Sequence, residues 1–369
     1  MKTIIVSDNL SGFIVAHVLQ KQGHEVTLVD TDNQPRAADR FQRIGIPFYR
    51  NTSQFRHGIR AIAETALSSE SGITFTVNDF SLPPETFTDH ERRPFVGFGG
   101  SKSSAIHSLT HFNHSEQMSL SRSENEIISN MLADINFKWI SYAEVTGLHF
   151  SDNLLSKITI NGSQELAADC FIFMTAPREW LPLLPSEFLG SRTRGRIAKA
   201  NYYSRVSFEL THTKPLTTDE NIFILTPTNP EHNPCAGKFF MQSSDAGAQY
   251  KSVWETYIPA ELVEDSEFVA TEIKGMRKLI RKAFADLEEK PAEVITISPY
   301  AHSDLQWTFE QKDIHEIAKN LLLYPSLGAD SLGFMQCVEA ASWALDGFAA
   351  RTADGFSDQA EAEQPTILS

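Results

Sequence analysis

The side chains best placed to do chemistry lie in one turn near the N-terminus. Ser7-Asp8-Asn9-Leu10-Ser11-Gly12 separates an apolar run, Lys2 to Val6, from a stretch of helical periodicity, Phe13 to Gln22, which Gly23 ends. A second apolar run, Glu25 to Val29, follows, and Asp30 stands at its end. Strand, turn, helix, strand and acid, with the acid about twenty residues after the turn, is the order of a Rossmann half-unit. The chemistry expected there is the cradling of a dinucleotide's diphosphate by N–H groups at a helix N-terminus.

The turn departs from GxGxxG, whose three glycine positions here hold Ser7, Asn9 and Gly12. Gly12 keeps the role of letting helix and strand approach closely. Asn9 is the mildest replacement if its φ is positive, because Asn visits the left-handed region more readily than most residues. Its side chain nevertheless takes up space where a phosphate would press. Asp8 sets a negative charge beside an expected anion. Asp30 is suited to accept from a ribose hydroxyl, or is an ordinary acid at a strand end. Weakened dinucleotide binding and a fold kept after loss of its cofactor both follow from these residues.

Other constellations carry less. His107, His111 and His114 would share one face of a helix and could hold zinc, but their segment is Ser-rich and poorly helical. Phe98 to Ser103 lacks the spacing of a phosphate loop, and no GxSxG elbow supports hydrolase chemistry. Trp254, Tyr257, Tyr300, Trp307 and Trp343 either line a pocket or pack a core. Arg205 and Lys251 either bind an acidic group of a substrate or project to solvent.

Elements must position these residues. Helices are predicted over Ile59–Ala66, Glu124–Asp134 with Ser123 as N-cap, Ser266–Leu287 and Phe334–Ala350. Strands are predicted over Lys138–Ile140, Ala143–Phe150, Leu155–Ile160, Glu165–Ala167 and Asp169–Thr175, with Asn161-Gly162 as a hairpin turn. Further strands are expected at Tyr202–Leu210, Ile222–Leu225, Gly237–Gln242, Lys251–Tyr257, Val294–Ser298 and Asn320–Tyr324. Residues 67–122 read as loops and short strands, and the tail after Arg351 as acidic and disordered.

The 369 residues are 41% apolar and 21% charged, as in a globular protein of about two domains. The net charge of −15 argues against nucleic acid and anionic membrane as partners. No apolar run reaches the ~18 residues that span a bilayer. The chain opens directly on a strand, so no signal peptide and a cytoplasmic location are expected. Cys170, Cys235 and Cys337 lie far apart and form no disulfide framework.

The order of elements resembles the flavin-containing amine oxidase superfamily, including its renalase-like and protoporphyrinogen-oxidase-like branches. VSDNLSGFIVAHVLQKQGHEVTLVD (6–30) is similar to that family's opening. Glu144 to Pro185 is similar to its middle segment, YYSRVSFEL with the helix at 266–287 to its substrate domain, and Leu321 to Ala350 to its C-terminal FAD-binding strand and helix. The chain lacks the family's basic segment after the second strand, and Gly328-Ala329-Asp330 is one residue out of step with its Gly-Asp pair.

The resemblance implies an α/β fold: an FAD/NAD(P)-binding Rossmann-type domain (1–66, 124–185 and 320–352) and an α+β substrate domain on an antiparallel sheet (67–123 and 186–319), with 353–369 as a tail. It implies FAD as cofactor, positioned by Ser7, Asn9, Leu10, Ser11, Gly12, Asp30, Val145, Gly328 and Asp330, and a hydride taken from a small-molecule substrate. The competing expectation is a cofactor-free relative acting as a binding partner or scaffold. An NAD(P)-dependent enzyme is a third.

Overall fold

The computed structural model describes residues 1–31, 49–50, 52–66, 75–79, 85–88, 116–120, 124–215, 217, 222–227, 233–244, 247–284, 292–303, 318–324 and 334–355. Two sheet systems organise them.

The first is a five-stranded parallel sheet. Its strands are β1 (Lys2–Ser7), β2 (Glu25–Asp30), β7 (Lys138–Ile140), β11 (Cys170–Phe173) and β17 (Leu321–Leu323), in the order β17-β11-β1-β2-β7. Of these, β1, β2, β11 and β17 read as apolar runs because both faces are covered. On one face Ile5, Leu28, Ile172 and Leu322 pack against helices α1 (Leu10–Lys21), α2 (Ser53–Ala66), α3 (Glu124–Ala133) and α7 (Phe334–Gly355). On the other, Ile4, Val6, Val29, Phe171 and Phe173 meet Leu155, Ile158 and Ile160. Those three belong to an antiparallel meander, β8 (Val145–Ser151), β9 (Leu154–Ile160) and β10 (Gln164–Ala167). Asn161 and Gly162 turn β9 into β10 with φ of 51° and 72°, the positive values that a two-residue hairpin turn demands. The short helices α4 (Pro177–Trp180) and α5 (Ser191–Ala198) follow β11, and Trp180 and Ile197 join the meander-side core.

The second system is a six-stranded sheet of order β16-β12-β15-β14-β13-β5. Its strands are β5 (Glu85–Thr88), β12 (Tyr202–His212), β13 (Ile222–Thr226), β14 (Cys235–Ser244), β15 (Gly247–Pro259) and β16 (Ala292–Ser303). Only the β5–β13 pairing is parallel. Val206, Phe208, Leu210, Phe223 and Trp254 on one face pack against α6 (Ser266–Ala283), whose periodic Val269, Met276, Leu279 and Ile280 point inward. Asp265 caps α6 by accepting from the N–H groups of Glu267 and Phe268 at 3.1 and 3.0 Å. A small sheet of β3 (Tyr49–Arg50), β6 (Glu116–Leu120) and β4 (Phe75–Asp79) completes the described chain.

The mixed α/β architecture with one parallel and several antiparallel sheets is the one expected. Three local differences stand out. Helix α1 begins at Leu10, inside the predicted turn. Helix α2 begins at Ser53, with Thr52 Oγ1 accepting from the Phe55 N–H at 3.1 Å as an N-cap. Helix α7 runs on to Gly355, beyond its predicted end at Ala350: Arg351 is buried there, and Thr352 Oγ1 donates to the Ala349 carbonyl at 2.9 Å.

Candidate nucleotide end of the parallel sheet

The carboxyl ends of β1, β2 and β11 meet at the start of α1. β1 and β2 are in register from Lys2–Glu25 to Ser7–Asp30, which sets Ser7 beside Asp30. Met174, just beyond β11, donates its N–H to the Val6 carbonyl at 2.8 Å. The crossing from β7 to the meander also arrives here, because Ala143 N–H donates to the Asp30 carbonyl at 3.0 Å. Val145 follows as the first residue of β8, half-buried and paired with Ile160. The structure therefore brings Ser7, Asn9, Leu10, Ser11, Gly12 and Asp30 together, with Val145 close along the chain. Gly328 and Asp330 lie outside the described residues, as do the three histidines and the Phe98–Ser103 segment.

Gly12 does what its position predicts. A Cβ there would lie 2.2 Å from Ser7 Cβ and 2.4 Å from Ser7 Oγ, so α1 crosses β1 at a distance only glycine allows.

Asn9 does not have the left-handed backbone that would have excused it. Its φ of −140° and ψ of 176° are extended, and it serves as the N-cap of α1. Asn9 Oδ1 accepts the Ser11 N–H at 2.8 Å, and the Ser11 hydroxyl also meets this oxygen. Asn9 Nδ2 donates to Asp8 Oδ1 at 2.8 Å and to the Met174 carbonyl at 3.2 Å. Asn9 N–H is accepted by Ser7 Oγ at 3.2 Å. Two of the N–H groups that a diphosphate would need are thus bonded within the chain, and Asn9 is only 4% exposed.

Two acidic side chains, Asp8 and Glu179, stand near the turn. Beyond Asp8, Glu179 on α4 is accessible to solvent yet closely surrounded by protein. That crowding first, and then the Asp8 charge, push its carboxyl up to about 7, against opposing pulls from Arg178 and the Thr175 side chain. Arg178 itself lies over the Tyr202 ring, 5.1 Å from its centroid.

Asp30 is 1% exposed, and its Oδ2 accepts from the Trp139 indole Nε1 at 2.8 Å. Trp139 and Glu179 were not singled out in the sequence. Their signals were a tryptophan on the strand next to β2 and an acid just beyond the end of β11.

A second polar group lies in the antiparallel sheet. Arg205 and Ser207 on β12 face Tyr257 and Glu255 on β15 in register. The Arg205 and Glu255 side chains are 3% and 2% exposed and pair at 3.8 Å, and Tyr257 Oη donates to Glu255 Oε1 at 3.3 Å. Burial, and then the Glu255 charge, hold the Tyr257 phenol protonated well above its usual range. Lys251 pairs with Glu209 at 2.5 Å. Both cations are therefore matched by carboxylates of this chain, which is neither of the expected outcomes, a substrate's acid or solvent. Of the candidate aromatics, Trp254 packs against Phe239 and Phe284, and Trp343 against Tyr324. The side chain of Tyr300 and all of Trp307 fall outside the described residues.

The three cysteines are free and buried, and burial pushes Cys170 up to about 12, which makes it a poor nucleophile. Among the described residues no cluster of His, Cys, Asp and Glu could hold a metal ion, and no helix is long and apolar enough to cross a membrane.

No protein-family model matches the chain, and no curated protein matches it in sequence. Solved structures do. The chain is similar to an oxidoreductase from Methanosarcina mazei, at TM-score 0.57 and 12% identity over 94% of this chain and 100% of that one. It is similar to a protein of Photorhabdus luminescens described as an FAD-containing monooxygenase, at TM-score 0.50 and 12% identity over 100% and 91%. It is also similar to a myxobacterial chondrochloren halogenase, a variant of FAD-dependent halogenases, at TM-score 0.53 and 14% identity over 97% and 76%. The fold is theirs. At such identities the likeness extends to architecture, and it does not single out the amine-oxidase branch.

The residues at the turn can be tested directly against the FAD that two of these names carry. The diphosphate's donors at Asn9 and Ser11 are engaged, Asn9 fills the space in front of them, and Asp8 and Glu179 flank it. In this arrangement the turn does not fit a diphosphate.

Proposed function

We propose that this chain uses the flavoenzyme fold as a binding partner and holds no resident dinucleotide. The observation that carries this reading is the bonded state of the Asn9 and Ser11 N–H groups. The working units would be the discontinuous Rossmann-type domain and the sheet-based second domain, divided as the sequence suggests. Recognition of a small molecule or a protein would fall to the second. Purified protein should carry no visible flavin absorption and should take up none when FAD is supplied. A yellow protein with stoichiometric FAD overturns the reading.

One observation favours a second reading, an FAD-dependent oxidoreductase of the amine-oxidase type. The buried Arg205–Glu255–Tyr257 group puts more charge into a sheet than packing needs, since a buried ion pair is often no better for stability than apolar residues. Perturbed ionisable groups of this kind concentrate at functional sites. In that reading Asp30, Val145, Gly328 and Asp330 position the cofactor, and the polar group orients a substrate. Turnover of an amine with FAD supplied, abolished by Arg205→Met, would support it.

A further inference from the structure

We infer that the Asn9 carboxamide is the internal occupant of an anion cradle, and that it closes, together with Ser7 Oγ on the Asn9 N–H, a cradle that is not dismantled. This rests on the cofactor-free reading above and traces it chiefly to Asn9.

The frame of the cradle is intact. β1 and β2 are parallel and in register, α1 starts at Leu10 with Asn9 as its N-cap, and Gly12 keeps the close helix–strand crossing. What differs is the occupant. An oxygen already accepts the Ser11 N–H, and it belongs to Asn9. A phosphate oxygen and Asn9 Oδ1 cannot both take that donor position at hydrogen-bond distance.

Asn9 is fixed there from both ends of its carboxamide. Its oxygen is held by Ser11, and its nitrogen by Asp8 Oδ1 and the Met174 carbonyl. Swinging the side chain aside breaks bonds on two elements, α1 and the end of β11. Asp8 contributes twice, once as an anchor for Asn9 Nδ2 and once as a charge opposing any incoming anion.

The expected ligand of the opened cradle is the diphosphate of an adenine dinucleotide or adenosine diphosphate. Glycine at position 9 removes the occupant and costs a helix N-terminus little, because a Gly cap is nearly as good as Asn.

FAD and adenosine diphosphate are titrated calorimetrically into the full chain as wild type, Asn9→Gly, Asn9→Ala and the Asp8→Asn/Asn9→Gly double variant. Far-UV circular dichroism checks that each is folded. Wild type should bind neither ligand. Asn9→Gly should bind both at least about tenfold more tightly than wild type, and the double variant more tightly again. Asn9→Ala is the check if glycine loosens the turn.

Folded Asn9→Gly and Asn9→Ala that bind no better than wild type overturn the inference and leave the cofactor-free reading standing. A gain for FAD without one for adenosine diphosphate also overturns it, because the diphosphate would not be what is recognised. Wild-type protein that binds FAD tightly overturns the reading and the inference together.

Discussion

Trp139 Nε1 donates to Asp30 Oδ2 at 2.8 Å, so the acid that ends β2 is held by an indole from β7. The indole ring in turn lies 5.6 Å from Phe13 and 6.3 Å from Phe137, which fixes its orientation from the α1 side. Trp139→Phe keeps the ring contacts but takes the donor from a buried carboxylate. It should lower stability by about 2 kcal/mol in urea unfolding. Asp30→Asn can still accept the indole through its carboxamide oxygen and should lose less. Equal losses would mean that the bond does not govern the site.

Gly12 and Ser7 form a coupled pair. Gly12→Ala drives a methyl group into Ser7 Cβ and Oγ, and should cost about 1–3 kcal/mol as overpacking. Ser7→Gly removes both opposing atoms and leaves the Ile5 side chain, at 3.5 Å, as the nearest neighbour. A double-mutant cycle should therefore show the second change relieving the first, with a coupling on the order of 1 kcal/mol. Strictly additive losses would place the strain of Gly12→Ala elsewhere.

The Asp8–Glu179 pair gives the turn a titration near neutrality. Glu179 is raised from the usual 4.5 to about 7, so between those values the folded chain keeps a proton that the unfolded chain has released. This contribution stabilises the fold as pH drops from about 7 and is lost above it. Carboxyl-detected NMR should place the Glu179 midpoint near 7, and Asp8→Asn should move it down. A midpoint unchanged by Asp8→Asn would show that the two carboxylates do not communicate.

His17, fully buried on α1, works in the opposite sense. Burial, and then Lys21, lower its pKa below 6.5, against weaker opposing effects of Asp134 and a backbone bond with Thr65. The unfolded chain therefore binds this proton more readily. The stability of neutral His17 is complete above about 6.5 and is lost as pH falls through the folded value. Urea midpoints measured from about pH 7.5 down to about pH 5 should fall less steeply in His17→Leu than in wild type. Parallel profiles would exclude His17 as the source.

Much of the scaffold is legible in the sequence, for physical reasons. β1, β2 and β11 are covered on both faces and so appear as continuous apolar runs. α6 has one buried stripe and shows helical spacing, and Asn161-Gly162 announces its turn by backbone chemistry alone. Strands β4 to β6 are short runs within the polar stretch 67–122, and α5 carries Gly195 and three arginines, so propensity gives little sign of it. The place of the candidate site is equally legible, because turn, helix start and strand-end acid are local. Its state is not. The bond from Asn9 Nδ2 to the Met174 carbonyl depends on β11, which arrives 165 residues later, and the Asp30–Trp139 bond spans 109. The partners of Arg205 and Lys251 follow from the β12–β15 register, which no single strand encodes.

The outer strand β17 and helix α7 set the order in which this protein can be made. Leu321–Leu323 close the parallel sheet beside β11, and α7 lies against α1 and α2. A nascent chain thus shows the ribosome's surroundings a bare β11 edge and an uncovered apolar helix surface until residues 321–355 have emerged. Chains cut before residue 321 should accordingly keep that edge and that helix surface open.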